Sequence, residues 1–466
     1  MAGRYVKLKK DWLLRGWTGT PMTVCNWATG DIRQLNKKGF YVAGACEGET
    51  NFNSLAFLPE HLAILDVLIS EGIAEECRKG DSIDPTQRYR KANNPCLAGI
   101  LWCVTGLCNL RCLHCYMESP SGRYGELPLA DMERLIEQFE QANVLQVSLT
   151  GGEPFIREDI LDIIAVLARK KIWVGQIFSN GLLITQEHLQ VIKSLGFSPG
   201  FQISFDGPGS HDHMRGVKGT EPGVLEGIRS VLSAGFQVTV ATSVDRMNAG
   251  RLADTYELMK DLHVQAWRIA RPQESGNWTE AATALTLHEE SEAYKPILNS
   301  WLKDGRPFYI QLGGFYRGGP APKGEISGRD RLRQQINYTP ENYDCGSCRE
   351  QPNLLPDGTL VPCPGYVDSI LQDQMPNLFC EDLSSVWTKS LLREIADIKK
   401  KDLLARNSEC AGCSQFKHCG CGCRALALNR TGNLMARDPV VCELWKEGYK
   451  KQFEELASTQ RQAENG

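Results

Sequence analysis

Between residues 97 and 271 the chain alternates two hydrophobic periodicities. Short apolar runs at 100–104, 144–149, 172–178, 201–205, 238–242 and 266–269 have the continuous or two-residue pattern of strands. Between them, at 129–141, 160–170, 188–195, 224–234 and 252–262, apolar residues recur every three to four positions, as on one face of a helix. Six such strand–helix units predict an α/β domain on a parallel sheet, open or curled into a partial barrel, because parallel neighbours need a crossover and a helix supplies it. Ahead of this region the pattern is weaker. Residues 1–94 contain short strand-like pieces such as Phe40-Tyr-Val-Ala, then a strong helix from Pro59 that ends before Gly72, and 81–95 reads as a linker.

Ligands of parallel sheets bind at the carboxyl ends of the strands, and here those ends are polar or glycine-rich. Cys108-Asn-Leu-Arg-Cys112-Leu-His-Cys115 follows the first strand, and Thr150-Gly151-Gly152-Glu153-Pro154 the second. Ser179-Asn180-Gly181 follows the third, Ser204-Phe-Asp206-Gly207 the fourth, and Ser243-Val-Asp245-Arg246 the fifth. These groups are expected to converge on one pocket. Gly151 and Gly152 let a ligand approach the backbone, leaving amides and carbonyls available to an amino acid head group.

Composition narrows the class. A chain of 466 residues with 42% apolar content is long enough for several domains with full cores. A net charge of −4 lacks the basic excess that tracks phosphate backbones, so nucleic acid is not expected as a main partner. The N-terminus shows no apolar signal segment, and no apolar run reaches the ~20 residues of a membrane span. The eighteen cysteines therefore read as reduced thiols and metal ligands in a cytoplasmic protein, and ten of them fall between Cys345 and Cys442.

Cys108, Cys112 and Cys115 suit one face of a cubane cluster and leave its fourth iron without a protein ligand. Structural zinc and electron-transfer clusters want four closed ligands, so three cysteines with an open corner describe a metal held for a small molecule. In form and place, the triplet and the Gly-Gly-Glu-Pro turn resemble the radical S-adenosylmethionine superfamily. That resemblance implies a partial (β/α)6 barrel with Cys108, Cys112 and Cys115 holding a [4Fe–4S] cluster. It implies that Gly151, Gly152 and Glu153 bind the methionine end of the cofactor. Ser179, Asn180 and Ser204 would meet its ribose side, and His114 would lie near the adenine; Ser243 and Arg246, at the end of the fifth strand, are read as cofactor-binding residues of the same rim. Arg246, Arg268 and Arg271 read equally as partners of a cofactor or substrate carboxylate and as rim ion pairs. His211-Asp212-His213 reads as a surface loop that helps close the pocket rather than a metal pair.

The C-terminal cysteines read Cys345-x2-Cys348, Gly358-x4-Cys363, Cys410-x2-Cys413-x5-Cys419-x3-Cys423 and Cys442. This spacing resembles the SPASM extension of the same superfamily. By that likeness Cys345, Cys348, Cys363 and Cys423 hold one auxiliary [4Fe–4S] cluster, and Cys410, Cys413, Cys419 and Cys442 a second, giving three clusters in all. The closeness of Cys345 and Cys348 leaves open whether both bind. A zinc ribbon pairing Cys345/Cys348 with Cys410/Cys413 leaves too many cysteines unused. Cys380 and Cys421 are spare, and read as small buried packing residues or hydrogen-atom donors.

The expected domains are 1–94, a winged-helix-like unit resembling those that grip leader peptides; 95–310, the barrel; 311–344, a linker; 345–450, the SPASM region; and 451–466, a tail. The leading functional expectation is a peptide maturase that modifies a ribosomally made precursor with a 5′-deoxyadenosyl radical, forming a thioether or carbon–carbon crosslink. It would work with a leader-bearing precursor peptide and an electron donor such as flavodoxin or ferredoxin, with no nucleic acid or membrane. Sulfatase maturation to formylglycine is the nearer rival, weakened because Pro364 stands where those enzymes carry an aspartate after the cysteine. Oxidation of a porphyrin or other cofactor precursor stays open. A non-enzymatic iron–sulfur carrier or zinc-stabilised binding protein is the reading from another class.

Overall fold

The computed structural model describes residues 3–119, 123–278, 283–320 and 338–464, with side chains to 458. The N-terminal unit contains β1 (Tyr5–Leu8), β2 (Trp12–Trp17), β3 (Thr20–Asn26), β4 (Asp31–Gln34), α1 (Lys37–Ala45), α2 (Pro59–Ser70), β5 (Ala74–Cys77) and β6 (Arg90–Lys91). Its sheets run β4-β3-β2-β6 and β1-β5, over a core that includes Val6, Leu14, Val24, Val42, Phe52 and Leu65. Two local expectations change. Residues 40–43 lie inside α1, because Asn36 caps the helix by accepting from the Gly39 amide, and the helical turn buries Val42 and Ala43 together. Residues 81–95 are packed structure rather than a linker: β6 pairs with β2, and Gln87 and Asn94 are buried.

This unit is fastened to the rest of the chain. Trp17 Nε1 donates to the Ala142 carbonyl at 3.1 Å, Asn143 Nδ2 to the Gly16 carbonyl at 3.1 Å, and Arg90 Nε to Asn143 Oδ1 at 2.7 Å. All three bonds land just beyond α3 (Leu129–Gln141), at the C-terminal end of that helix.

Among the described residues the central sheet has ten strands. Seven are parallel and follow in chain order: β7 (Gly99–Cys103), β8 (Gln146–Thr150), β9 (Trp173–Ser179), β10 (Gly200–Ser204), β11 (Val238–Ser243), β12 (Ala266–Ala270) and β13 (Tyr309–Leu312). The seventh strand falls where the barrel was expected to give way to a linker. It is reached through α9 (Leu287–Lys303), whose start is set by a capping box between Thr286 and Glu289. Residues 321–337 of the expected linker lie outside the described residues. Short strands close the edges: β14 (Tyr316–Gly318) runs antiparallel to β13, and β15 (Asn353–Leu354) is parallel to β7 and carries β16 (Leu360–Val361). The cysteine-rich segment therefore begins by extending the barrel sheet.

Period-two alternation sorts the strands' faces. Trp102 and Phe201 are fully buried in the core, Trp102 meeting Phe139 of α3 edge-on at 5.2 Å, while Gln202, Ser204 and Arg268 alternate with the buried positions and are more accessible. Residues 451–464 are no loose tail but part of the helix Tyr449–Glu464. Its Phe453 is buried against Phe315 at 5.2 Å, and Lys450 donates to the Phe315 carbonyl at 2.8 Å.

Candidate active site and auxiliary cysteine pockets

The loop bearing Cys108, Cys112 and Cys115 leaves β7 and is held from three sides. From below, the Gly-Gly-Glu-Pro turn bonds to its first residues: Gly152 N donates to Thr105 O and Glu153 N to Leu107 O, each at 2.8 Å. The Gly152 amide, expected to be available to a ligand, is thereby spent on the loop. Gly152 is required because a Cβ there would collide with the Leu107 carbonyl. On a second side lies the short helix α6 (His211–Arg215), bounded in the chain by α5 (Gln186–Ser194) and α7 (Glu221–Ser233). Arg111 N donates to Arg215 O and Leu113 N to Met214 O, each at 3.0 Å. From the third side Asn277 N donates to Cys115 O at 3.2 Å.

Glu153 is fully buried, and its carboxylate accepts from Ser179 Oγ at 2.8 Å, Asn180 N at 2.7 Å and Phe155 N at 3.2 Å. It therefore braces β8 to β9, and Ser179, which also accepts from Gly181 N at 2.9 Å, belongs to the same brace. Burial pushes the Glu153 carboxyl up to about 7. Asn180 reaches the cysteine loop, donating to Asn109 Oδ1 at 2.7 Å with Cys108 Sγ 4.0 Å away. Ser204 and Ser243 end their strands half-buried on the accessible side of the sheet, and Gly151 sits at φ +147° beside Thr105.

His211-Asp212-His213 forms part of α6 rather than a surface loop. His211 is fully buried, its ring stacked on Phe205 and its Nδ1 accepting from Asp206 N at 3.2 Å; burial lowers it to about 3, so it is a neutral core histidine. His213 turns the other way, toward Asp245 at 3.7 Å. Arg246 takes the ion-pair alternative: it contacts Glu289 at 2.8 Å with 44% of its side chain exposed. Arg271 pairs with buried Glu290 at 2.7 Å, and Arg268 donates to Gln202 at 3.0 Å.

His114 lies against Arg215, which is 3.4 Å from its Nε2; burial and that neighbouring cation keep the imidazole neutral well below its usual range. An arginine has only donors, so Nε2 accepts and the proton sits on Nδ1, which is buried without a hydrogen-bond partner. That orphaned donor, beside three thiols outside any disulfide, fits a site completed by a polar ligand such as an adenine.

The C-terminal cysteines sort into two groups. Cys348 is within hydrogen-bonding reach of both Cys345 and Cys363, and Tyr366 feels the charges of Cys348, Cys363 and Cys423. Bonding to Cys348 lowers the Cys345 thiol to about 6. The second group, Cys410, Cys413, Cys419 and Cys442, lines a small pocket of about 30 Å³, and Cys421 lines it with them. Cys421 is thus a pocket residue, and Cys380 is exposed rather than a buried packing residue. The ribbon pairing of Cys345/Cys348 with Cys410/Cys413 is not assembled. Among the described residues no three His, Cys, Asp or Glu side chains are set to hold a single metal ion. Thiols grouped in this way fit the wider ligand spread of a polynuclear cluster.

Residues absent from the sequence expectations hold these groups in place. Asp344, next to Cys345, is buried between Lys400 (2.6 Å) and Arg424 (3.4 Å). Lys400 also donates to Gly420 O, and Arg424 to Cys421 O at 2.6 Å. Asp438 accepts from Cys423 N at 2.9 Å and caps the helix Pro439–Lys446 that carries Cys442. Adjacency is the sequence signal for two of them, Asp344 beside Cys345 and Arg424 beside Cys423; Lys400 and Asp438 are adjacent to no cysteine.

Known proteins match this arrangement. Residues 102–259 match the radical SAM superfamily model, the segment that contains the cysteine loop and the strand ends described above. The AdoMet-dependent heme synthase of Nitratidesulfovibrio vulgaris is 30% identical over 369 residues, covering 76% of this chain and 94% of that protein. Mycofactocin maturase MftC of Mycolicibacterium smegmatis is 25% identical over 351 residues, covering 74% and 83%. Streptococcus suis SuiB bound to precursor peptide SuiA has the same fold, with TM-score 0.65 and 15% identity over 94% of this chain and 100% of that one. The chain belongs to the radical SAM superfamily and is an enzyme of that family.

Proposed function

We propose that this enzyme is a peptide maturase: it modifies, by crosslinking, a ribosomally made precursor whose leader docks on the N-terminal unit. The observation that carries this reading is a groove on that unit. Met22 of β3, Phe40, Tyr41 and Gly44 of α1, and Ala56 and Phe57 line it, with Leu55 and Leu58 exposed nearby. Beside it β4 is fully exposed and pairs on one side only, with β3, so its other edge can receive an added strand. SuiB, seen bound to its precursor peptide, shares the fold over 94% of this chain.

Cys108, Cys112 and Cys115 would hold the radical-generating cluster. S-adenosylmethionine bound there supplies the carbon radical that abstracts hydrogen, so the protein's own task is orientation and exclusion of competitors. The braces through Glu153, Asn180 and Arg215 keep the loop in one geometry, and neutral His114 presents a donor. Cys345, Cys348, Cys363 and Cys423, with Cys410, Cys413, Cys419 and Cys442, would hold SPASM-type auxiliary clusters that accept the second electron as a crosslink forms. A cytoplasmic setting and a flavodoxin or ferredoxin donor suit such clusters; among the described residues no helix is long and apolar enough to cross a membrane. A second reading, oxidation of a porphyrin-type precursor, draws on the 30% identity to the heme synthase.

The test uses anaerobically reconstituted enzyme, which should hold about twelve iron atoms and release 5′-deoxyadenosine with reductant. Incubated with short peptides encoded in neighbouring reading frames, it should remove two hydrogen atoms per crosslink, as read by mass. Turnover of an iron porphyrin instead, with no mass change in any peptide, would replace the peptide reading with the second.

A further inference from the structure

The distal pocket has one thiol more than a four-iron cluster needs. Besides Cys410, Cys413, Cys419 and Cys442, its wall includes Cys421, which is 3% exposed and within hydrogen-bonding reach of Cys410. The backbone is bent to bring it there. Cys421 has φ +67°, the left-handed region that side chains avoid, and Gly420 and Gly422 on either side are at +54° and +79°. A glycine would adopt that turn without strain, so the cysteine side chain is kept at a conformational cost. The turn is held by Lys400 on Gly420 O, Arg424 on Cys421 O, and the Asp438 amide on Cys421 O at 3.0 Å. The strained residue is thereby fixed with its thiol on the pocket wall.

We propose that Cys421 is a reserve ligand of the distal iron–sulfur site, able to take the iron position of Cys410 when that thiolate is lost. The exchange is balanced: one Fe–S bond forms for the one that breaks, the Cys421 thiol releases its proton to solvent, and no electron changes hands. With Cys410 in place, Cys421 stays in the second layer, where a hydrogen bond to a ligand sulfur tunes the cluster. The proposal rests on the reading that this pocket holds a cluster.

Iron and acid-labile sulfide are counted in anaerobically reconstituted wild type, Cys410→Ala, Cys421→Ala and the double variant. About twelve irons are expected in the wild type and in each single variant, and about eight in the double variant. The eight that remain in the other two sites report that the double variant is folded. The reduced Cys410→Ala protein should also show a distal-cluster electron paramagnetic resonance signal altered from the wild type. About eight irons in Cys410→Ala, or about twelve in the double variant, overturns the proposal. About eight in the wild type would instead remove the reading of three clusters, so the two failures are distinct.

Discussion

Arg215 and Cys112, 103 residues apart in sequence, meet at 3.7 Å between Nη1 and Sγ. The same guanidinium grips Asp206 with Nε at 2.6 Å and Nη2 at 3.1 Å, both partners being buried. A cation is thus fixed against a sulfur of the Cys108, Cys112 and Cys115 loop by a carboxylate just past the end of β10. Arg215→Met leaves Asp206 buried and unpaired, and is expected to cost about 3–5 kcal/mol in denaturant unfolding. Arg215→Lys keeps the charge, so it should retain more stability than Arg215→Met. Equal stability of all three proteins would show that the pair carries no structural weight.

Two glycines set how closely other elements approach the loop of Cys108, Cys112 and Cys115. A Cβ at Gly152 would strike the Leu107 carbonyl, and one at Gly216, where φ is +68°, the Arg111 carbonyl. Gly152→Ala and Gly216→Ala should each cost more than about 1 kcal/mol and should lower the iron content of the first cluster. A control, Gly250→Ala, meets nothing within 4 Å and should leave the iron count unchanged.

Glu153 makes stability depend on pH. Its folded carboxyl titrates near 7 against a usual 4.5, so the folded protein keeps a proton that the unfolded chain has released. The stabilisation from that raised value is complete below the unfolded value and fades as pH rises to the folded one, by up to about 3 kcal/mol. In Glu153→Gln this slope should disappear, although the amide facing the Asn180 N–H makes the variant less stable at acid pH. Parallel pH–stability curves for the two proteins would contradict the assignment.

Asp344 neutralises two buried cations at once. Asp344→Asn leaves Lys400 and Arg424 without their carboxylate, a loss expected to be about 3–5 kcal/mol, and it should loosen both C-terminal cysteine groups. Iron analysis should show the auxiliary irons falling while the first cluster is retained; loss of iron from the first cluster alone would contradict this.

The groove on the N-terminal unit can be probed without touching the barrel. Tyr41 and Leu55 are exposed, at 50% and 102%. Tyr41→Ala and Leu55→Asp should weaken precursor binding at least several-fold, as read by fluorescence anisotropy of a labelled leader, and leave peptide-independent 5′-deoxyadenosine release unchanged. Unaltered binding in both would move the leader site elsewhere.

Much of the frame was legible in the chain because its causes are local. Six apolar runs became strands within about two residues of their predicted ends, and the helix at 129–141 is Leu129–Gln141 as read. Covalent spacing alone made the Cys108, Cys112 and Cys115 loop recognisable. The four-residue strand Tyr309–Leu312 was too short for periodicity to separate from a loop, and Phe40-Tyr-Val-Ala became helical because Asn36 capped it and packing outweighed strand propensity.

What the chain by itself determined, then, is the order of strands and helices and the kinds of ligand at each strand end. Tertiary structure decided which of those groups remain available to a ligand. The amides of Gly152 and Glu153, the hydroxyl of Ser179 and the guanidinium of Arg246 are consumed by Thr105, Leu107, Glu153 and Glu289. It also decided that Cys421 joins the distal pocket, and that Arg215, Asp344 and Asp438 support the cysteines. The physical reason is that periodicity and spacing record only neighbours along the chain. A buried hydrogen bond or ion pair joins residues tens to hundreds of positions apart, and exists only once sheet register and loop closure bring them together.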